Sequence, residues 1–269
     1  MGIPRTPHER RWFGAAARLR RGTAAAAMAA ICLIASFAGA RAEGQLRIIT
    51  SGSYPPFVFS DAGGALSGFE IDFANALCAV LAVRCQFIDL PFEETIPALV
   101  AGRGDVIVAS LSITEERRRL VAFTDRYYRT AIQFVAPRGF ARPVTAEGLK
   151  SLRVAVTRGT TAEATLQSRF VGAEIVGFVT QSEANQALVD GRVELVLADS
   201  FAMWRFLKSD PGRGFAAVGG PLYVDEGIGV AVRKDEDTLR QKLNLAIARL
   251  RLDGTYQRIN AKYFPFSIY

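Results

Sequence analysis

An alternation of short apolar runs with helix-spaced segments, interrupted once and then restarted, limits what this chain can fold into more than any other feature it has. Residues 46–50 (LRIIT) read as a buried strand, Gly63-Gly64 as a hairpin turn, and apolar positions recur at helical spacing over 69–81. A strand over 85–90 follows, then a helix that starts at Pro91-Phe92-Glu93-Glu94 and ends near Gly102, then the strand Val106-Ile107-Val108. Two β-α-β units side by side require a mainly parallel sheet with right-handed crossovers. After Tyr127-Tyr128 and an apolar run over 131–136, the cluster Pro137, Arg138, Gly139 and Pro143 marks a boundary. A fresh pattern then begins, with strands over 152–157, 174–179 and 194–198 and helices ending near Phe170, Asp190 and Leu207. A shorter strand over 215–218, a strand over 227–232 and helices over 236–252 and 254–263 complete the chain. No helix-sheet unit remains for a third lobe, so the tail is expected to pack back on the first. The reading is α/β with two lobes: lobe 1 from residues 43–133 and 227–269, lobe 2 from 134–226, and two crossings near 133–137 and 224–229.

The formal charge of +7 belongs mostly to the N-terminus. Residues 1–42 hold seven of the 33 basic and one of the 26 acidic residues, which leaves 26 against 25. A nucleic-acid partner is therefore not expected. The single histidine, His8, lies in the same stretch, so the remainder cannot build a Ser-His-Asp triad, a Cys-His pair or a histidine metal site. No cofactor, metal or catalytic residue is predicted. Residues 1–42 themselves read as a signal peptide: six arginines up to Arg21, an apolar run over 24–38, and small residues that place cleavage after Ala42. The apolar run is short for a span of ~20 residues. Arg10-Arg11-Trp12-Phe13 weakly resembles a twin-arginine signal, and the general secretory route is the one expected. Two cysteines, Cys78 and Cys85, remain after cleavage; in an oxidising compartment such a pair is most simply a disulfide, the other reading being two buried thiols.

The stretch 104–128 carries the chemistry. A buried strand runs into Ser110, Ser112 and Thr114 and delivers Arg117 one turn into a helix capped by Thr114. Helix N-termini stabilise anions and arginine supplies a planar bidentate fork, so this strand end reads as a carboxylate receptor. Gly159-Thr160-Thr161 offers a second half-site at a helix N-terminus, or serves only as its cap. Asp199 follows a buried strand and precedes a helix, where it either caps the helix or faces a cation in a crevice. Ser51, Tyr54 and Phe92 lie in loops at strand carboxyl ends, the usual ligand side of open sheets. Glu70 and Asp72 read as first-turn acids complementing their helix dipole.

Taken in order, SGSYPPF, GFEIDFANAL, IPALVAGRGDVIVASLSITEERR, FTDRYY, RGTTAEA, GRVELVLADS and LRLDGTYQRI resemble the periplasmic amino-acid-binding proteins of ABC importers, solute-binding protein family 3. The lysine/arginine/ornithine- and histidine-binding branch is the nearest, and the resemblance covers residues 45–264. It implies the two-lobed type II periplasmic-binding-protein fold, a monomer, and delivery of a free amino acid to an inner-membrane ABC permease. It implies that Arg117, Ser112 and Thr161 hold the ligand carboxylate, that Asp199 and Ser110 take its ammonium group, that Tyr54 and Phe92 flank its side chain, and that Cys78 and Cys85 are bonded. Ala109 stands where the branch has a serine, and Ser51 where it has an acid for cationic side chains. The second departure predicts a neutral polar ligand, unless Glu93 or Glu94 supplies the charge. Two other functions remain: a cyclohexadienyl-dehydratase-like enzyme with Glu163 or Glu226 as its acid, or a detached ligand-sensing domain.

Overall fold

The computed structural model describes Gly2, residues 44–61 and residues 63–269; the expected signal peptide and its cleavage point lie outside the described residues. The chain opens with β1 (Gly44–Thr50), a small hairpin of β2 (Phe59–Ser60) and β3 (Leu66–Ser67), α1 (Phe69–Leu81) and β4 (Val83–Asp89). A 3-10 turn (Phe92–Glu94), α2 (Thr95–Val100), β5 (Val106–Ile107), α3 (Glu115–Arg118) and β6 (Ala122–Phe123) follow. The second half contains β7 (Ile132–Pro137), α4 (Ala146–Leu149), β8 (Arg153–Thr157), α5 (Thr161–Arg169), β9 (Glu174–Phe178) and α6 (Gln181–Val189). It continues with β10 (Leu195–Asp199), α7 (Ser200–Leu207), a second 3-10 turn (Pro211–Gly214) and β11 (Phe215–Leu222). The chain ends with β12 (Ala231–Val232), α8 (Asp237–Leu252) and α9 (Thr255–Tyr263).

These strands form two five-stranded sheets, in the orders β4-β1-β5-β12-β6 and β11-β7-β10-β8-β9. The β-α-β segments pair in parallel, β1 with β4 and β5, and β8 with β9 and β10. The strands that close each sheet, β12 in the first and β7 and β11 in the second, run antiparallel. The chain leaves the first sheet after Phe123, has joined the second by Ile132, leaves it after Leu222 and returns at Ala231. The central strands of each sheet are buried on both faces, while the strands β4, β9 and β11 at the edges are partly exposed. In the first, Ile48, Val106 and Val232 enter one core cluster and Ile49, Ile107 and Ala231 the other. In the second, Val154, Val156 and Leu197 alternate with Ala155, Val196 and Ala198. That period of two, with no polar face, is why these strands read as continuous apolar runs.

Two expected elements come out differently. The helix expected from Pro91 to Gly102 is split into a 3-10 turn and a six-residue helix. Pro97 has no N–H for the Glu93 carbonyl, so α-helical pairing cannot extend back through the turn. The strand expected over 227–232 is regular only at Ala231 and Val232. Gly227 sits at φ 120°, and Ile228 makes only isolated bridges to Ser112 and Tyr128. Cys78 near the end of α1 and Cys85 in β4 form a disulfide with their Cα atoms 5.9 Å apart. No helix among the described residues is long and apolar enough to cross a membrane.

Candidate ligand-binding cleft

A cleft of about 760 Å3, the space at its mouth included, lies at the carboxyl ends of β1, β5, β8, β9 and β10. All nine residues named above as candidate binding residues line it: Ser51, Tyr54, Phe92, Ser110, Ser112, Arg117, Thr160, Thr161 and Asp199.

On the first-sheet side, β5 ends and the chain turns at Ser110, whose φ of 52° is left-handed. This turn aims the Ser110 N–H at Glu70 Oε1, 2.7 Å away, and leaves the Ser110 hydroxyl buried without a partner among the described residues. Two residues on, the Ser112 carbonyl accepts a 3.0 Å hydrogen bond from Arg117 Nη1. Thr114 caps α3 by accepting from the Arg117 N–H at 3.2 Å, which fixes the stem of that arginine. The guanidinium is 9% exposed and its carbon lies 5.5 Å from the Phe92 ring centroid. Burial lowers its pKa to about 10, against the pull of Asp225 and Glu116, so it stays charged at neutral pH. Phe92 thus supports Arg117 as well as bordering the cleft. Tyr54 is held by stacking on Phe57, centroids 5.5 Å apart.

On the second-sheet side, Gly159 is left-handed at φ 74° and its N–H donates to Glu163 Oε2 at 2.8 Å. The Thr160 hydroxyl is committed within the protein: it donates to the Thr157 carbonyl at 2.7 Å and accepts from the Glu163 N–H at 3.4 Å. Thr160 is therefore the cap of α5, and Thr161 is the neighbouring hydroxyl residue of the cleft wall. Asp199 ends β10 and caps α7, its Oδ1 accepting from the N–H groups of Phe201 (2.8 Å) and Ala202 (3.1 Å). The two readings of Asp199 are compatible, because the capped carboxylate also lines the cleft. Burial pushes it up to about 6, with the Thr130 hydroxyl and the two cap N–H groups pulling the other way.

The two sides touch. Arg117 Nη2 donates to the Gly159 carbonyl at 2.9 Å, and the Ser53 and Ser182 hydroxyls meet at 3.3 Å.

Two acids that the sequence reading did not expect at the site, Glu70 and Asp225, line the cleft, and the four acids considered for it, Glu93, Glu94, Glu163 and Glu226, do not. Glu70 does sit in the first turn of α1, but it is 1% exposed and lines the cleft rather than facing solvent. Its Oε1 accepts from the Ser110 N–H and the Tyr127 hydroxyl, its Oε2 has no partner among the described residues, and burial pushes the carboxyl up to about 7. Asp72, its companion in the reading, faces outward to Lys262 and Tyr263. Asp225, unnamed in that reading, lines the cleft and is raised by burial, while its neighbour Glu226 turns out to pair with Arg118 at 2.8 Å. Among the described residues no group of three or more acid, cysteine or histidine side chains is placed to hold a metal ion.

Two α/β lobes, each on a five-stranded sheet and enclosing a cleft at their strand ends, have the architecture of the type II periplasmic binding proteins. Within that class the chain belongs to the bacterial extracellular solute-binding proteins, family 3, whose sequence pattern matches residues 46–266. The L-arginine-binding protein of Pseudomonas aeruginosa is 41% identical over 235 residues, 85% of this chain and 91% of that one. The histidine-binding periplasmic protein of Escherichia coli is 37% identical over 84% of this chain and 89% of its own length. A solved structure of an ancestral arginine-binding protein bound to arginine matches with a TM-score of 0.78 at 36% identity, covering 82% of this chain and 99% of that chain.

Proposed function

We propose that this protein captures a free amino acid with a cationic side chain, arginine foremost, by closing its lobes over it, and delivers it to an inner-membrane ABC permease. The observation that carries the reading is the pair Arg117 and Asp199: opposite charges, each 9% exposed, supplied by different sheets to one cleft, and neither in an ion pair among the described residues. A buried charge is costly unless matched, and a zwitterion matches both at once. Peptides and simple carboxylates would leave Asp199 unmatched and are rejected.

Glu70 sets the side-chain preference. The serine at position 51 by itself favours a neutral ligand, but Glu70 puts an acid with a free buried oxygen in the same wall. The charge of that carboxyl at the cleft wall favours a cationic head group over a neutral one, which is also how the names of the arginine-binding relatives are best accommodated. On this reading Ser110, Ser112 and Thr161 add hydroxyl contacts, Tyr54 and Phe92 border the side chain, and lobe 1 is residues 43–131 and 227–269 around lobe 2 at 132–226, the boundary falling two residues before the expected one because β7 already pairs in the second sheet at Ile132. The mature protein begins after Ala42 and acts in the periplasm as a monomer.

Calorimetric titration with each of the twenty amino acids is the test. Arginine or lysine should bind at least about tenfold more tightly than glutamine. A neutral amino acid winning by that margin would remove the role given to Glu70, and no binding by any amino acid would overturn the whole reading.

An enzymatic reading has one observation in its favour, the buried, raised carboxyl of Glu70 in the cleft. Incubation with prephenate or arogenate separates the two: consumption of either would make Glu70 a general acid, and the binding reading expects none.

A further inference from the structure

Behind the cleft, a second set of contacts joins the halves of the molecule. Helix α7 packs on β7, β10 and β11 through one face, with Ala202, Met203 and Phe206 buried there. Its other face carries Phe201 and Trp204, one turn apart, and these rings rest on the segment that follows α9. Phe201 lies 5.8 Å from Phe264 and 5.5 Å from Phe266; Trp204 lies 6.3 Å and 5.2 Å from the same two rings. That segment is anchored elsewhere in the first core. Phe264 is 2% exposed against Phe57 and Phe69, centroids 5.5 and 5.9 Å away. Asn260 holds the segment with two hydrogen bonds, Nδ2 to the Phe266 carbonyl at 2.7 Å and Oδ1 from the Ile268 N–H at 3.1 Å. The Ile268 carbonyl in turn accepts from the Arg129 N–H, in the first crossing between the sheets.

The two ends of this group are both in the cleft. Tyr54 stacks on Phe57, Phe57 meets Phe264, and Phe264 meets Phe201, whose N–H donates to Asp199 Oδ1. We propose that Phe201, Trp204, Phe264 and Phe266 form a third connection between the lobes, which positions Asp199 against the Arg117 wall and stabilises the closed arrangement. The two chain crossings run side by side, hydrogen-bonded to each other between Tyr127-Tyr128 and Ile228, and a two-stranded connection allows rotation, whereas a packed aromatic group holds an angle. Because the rings meet while Arg117 reaches Gly159 across the cleft, removing them favours the open lobes and lowers affinity without altering any cleft-lining side chain. This inference rests on the reading of the cleft as an amino-acid site only for its affinity arm.

The test uses Trp204→Ala and Phe266→Ala, singly and together, with Trp204→Phe as the conservative control. Energy transfer between dyes on the two sheets reports lobe separation without ligand, and calorimetry with arginine reports affinity. The expected result is a wider ligand-free separation in both alanine variants, arginine affinity reduced by about fivefold or more, non-additive effects in the double variant, and near-parent behaviour of Trp204→Phe. Unchanged ligand-free separation in folded alanine variants overturns the proposal. If arginine does not bind the parent, the ligand assignment has failed, and the separation measurement still decides this one. A variant too unstable to fold is replaced by Phe266→Leu, read by the same criterion.

Discussion

Arg117 Nη2 donates to the Gly159 carbonyl, 2.9 Å away on the opposite wall of the cleft. The residue with the strongest claim to a ligand carboxylate is thus also a latch between the lobes. Gly159 permits this because it is left-handed at φ 74° and lacks a side chain where one would press on Glu93, whose Cα would lie 3.1 Å from an added Cβ.

Gly159→Ala should therefore weaken ligand binding through closure. Backbone strain costs about 1 kcal/mol, and Glu93 must move for the walls to meet. Small-angle scattering with saturating arginine should show incomplete compaction. Full compaction with parent affinity would show that the two walls tolerate the extra methyl.

Arg117→Ala should abolish measurable amino-acid binding while the fold survives. Breaking a buried, hydrogen-bonded charge pair typically costs ~2–5 kcal/mol. Circular dichroism should remain that of the parent, and calorimetry should show no heat. Affinity within a factor of about three, ~0.65 kcal/mol, would assign the carboxylate to another group.

The cleft acids make both stability and binding depend on pH. Glu70 is pushed up to about 7 and Asp199 to about 6, against 4.5 and 3.8 for ordinary carboxyls, chiefly by burial. Between these values the folded chain holds more protons than the unfolded one, so the ligand-free protein should lose stability as pH rises from about 4 to about 7. A cationic ligand matches the ionised form, so arginine affinity should rise over the same window and binding should release protons. Titrations at pH 6.5 in buffers of different ionisation heat count them. Glu70→Gln should reduce the count and narrow the preference for arginine over glutamine; an unchanged count would place the proton on another group.

The Cys78–Cys85 disulfide joins the end of α1 to β4 across a separation of seven residues. Such a short loop contributes roughly 2–3 kcal/mol on the chain-entropy model. Thermal unfolding of the Cys78→Ser, Cys85→Ser double variant should show that loss. Alkylation of the exported parent without reductant should leave both sulfurs unmodified, and quantitative alkylation would contradict the bond.

The sheets were legible because their central strands are buried on both faces, which leaves unbroken apolar runs such as Leu195 to Ala198. Arg117 and Asp199 were legible because a strand end followed by a capped helix states where a side chain goes. Glu70 was not. A first-turn acid is satisfied locally by its helix dipole, and only the packing of α1 against the end of β5 turns this one into cleft wall. Asp225 and Glu226 are adjacent and chemically alike. Which of them points inward is decided by the turn at Gly227, where the Asp225 Oδ1 accepts the Gly227 N–H at 2.9 Å. Phe92 beneath Arg117 is likewise a tertiary pairing, between residues 25 positions apart, with no local sign.

The order of strands carries a consequence for how the chain comes together. Every strand of the second sheet lies between Ile132 and Leu222, one unbroken stretch of sequence, and its hydrogen-bond ladders close among themselves. The first sheet is different: β12, which joins β5 to β6, arrives only at Ala231, more than a hundred residues after Phe123. As the chain folds, the later-encoded half is the one able to consolidate by itself. The earlier-encoded half must wait as an unfinished sheet, its β5 edge exposed to a neighbouring chain until the C-terminal strand docks.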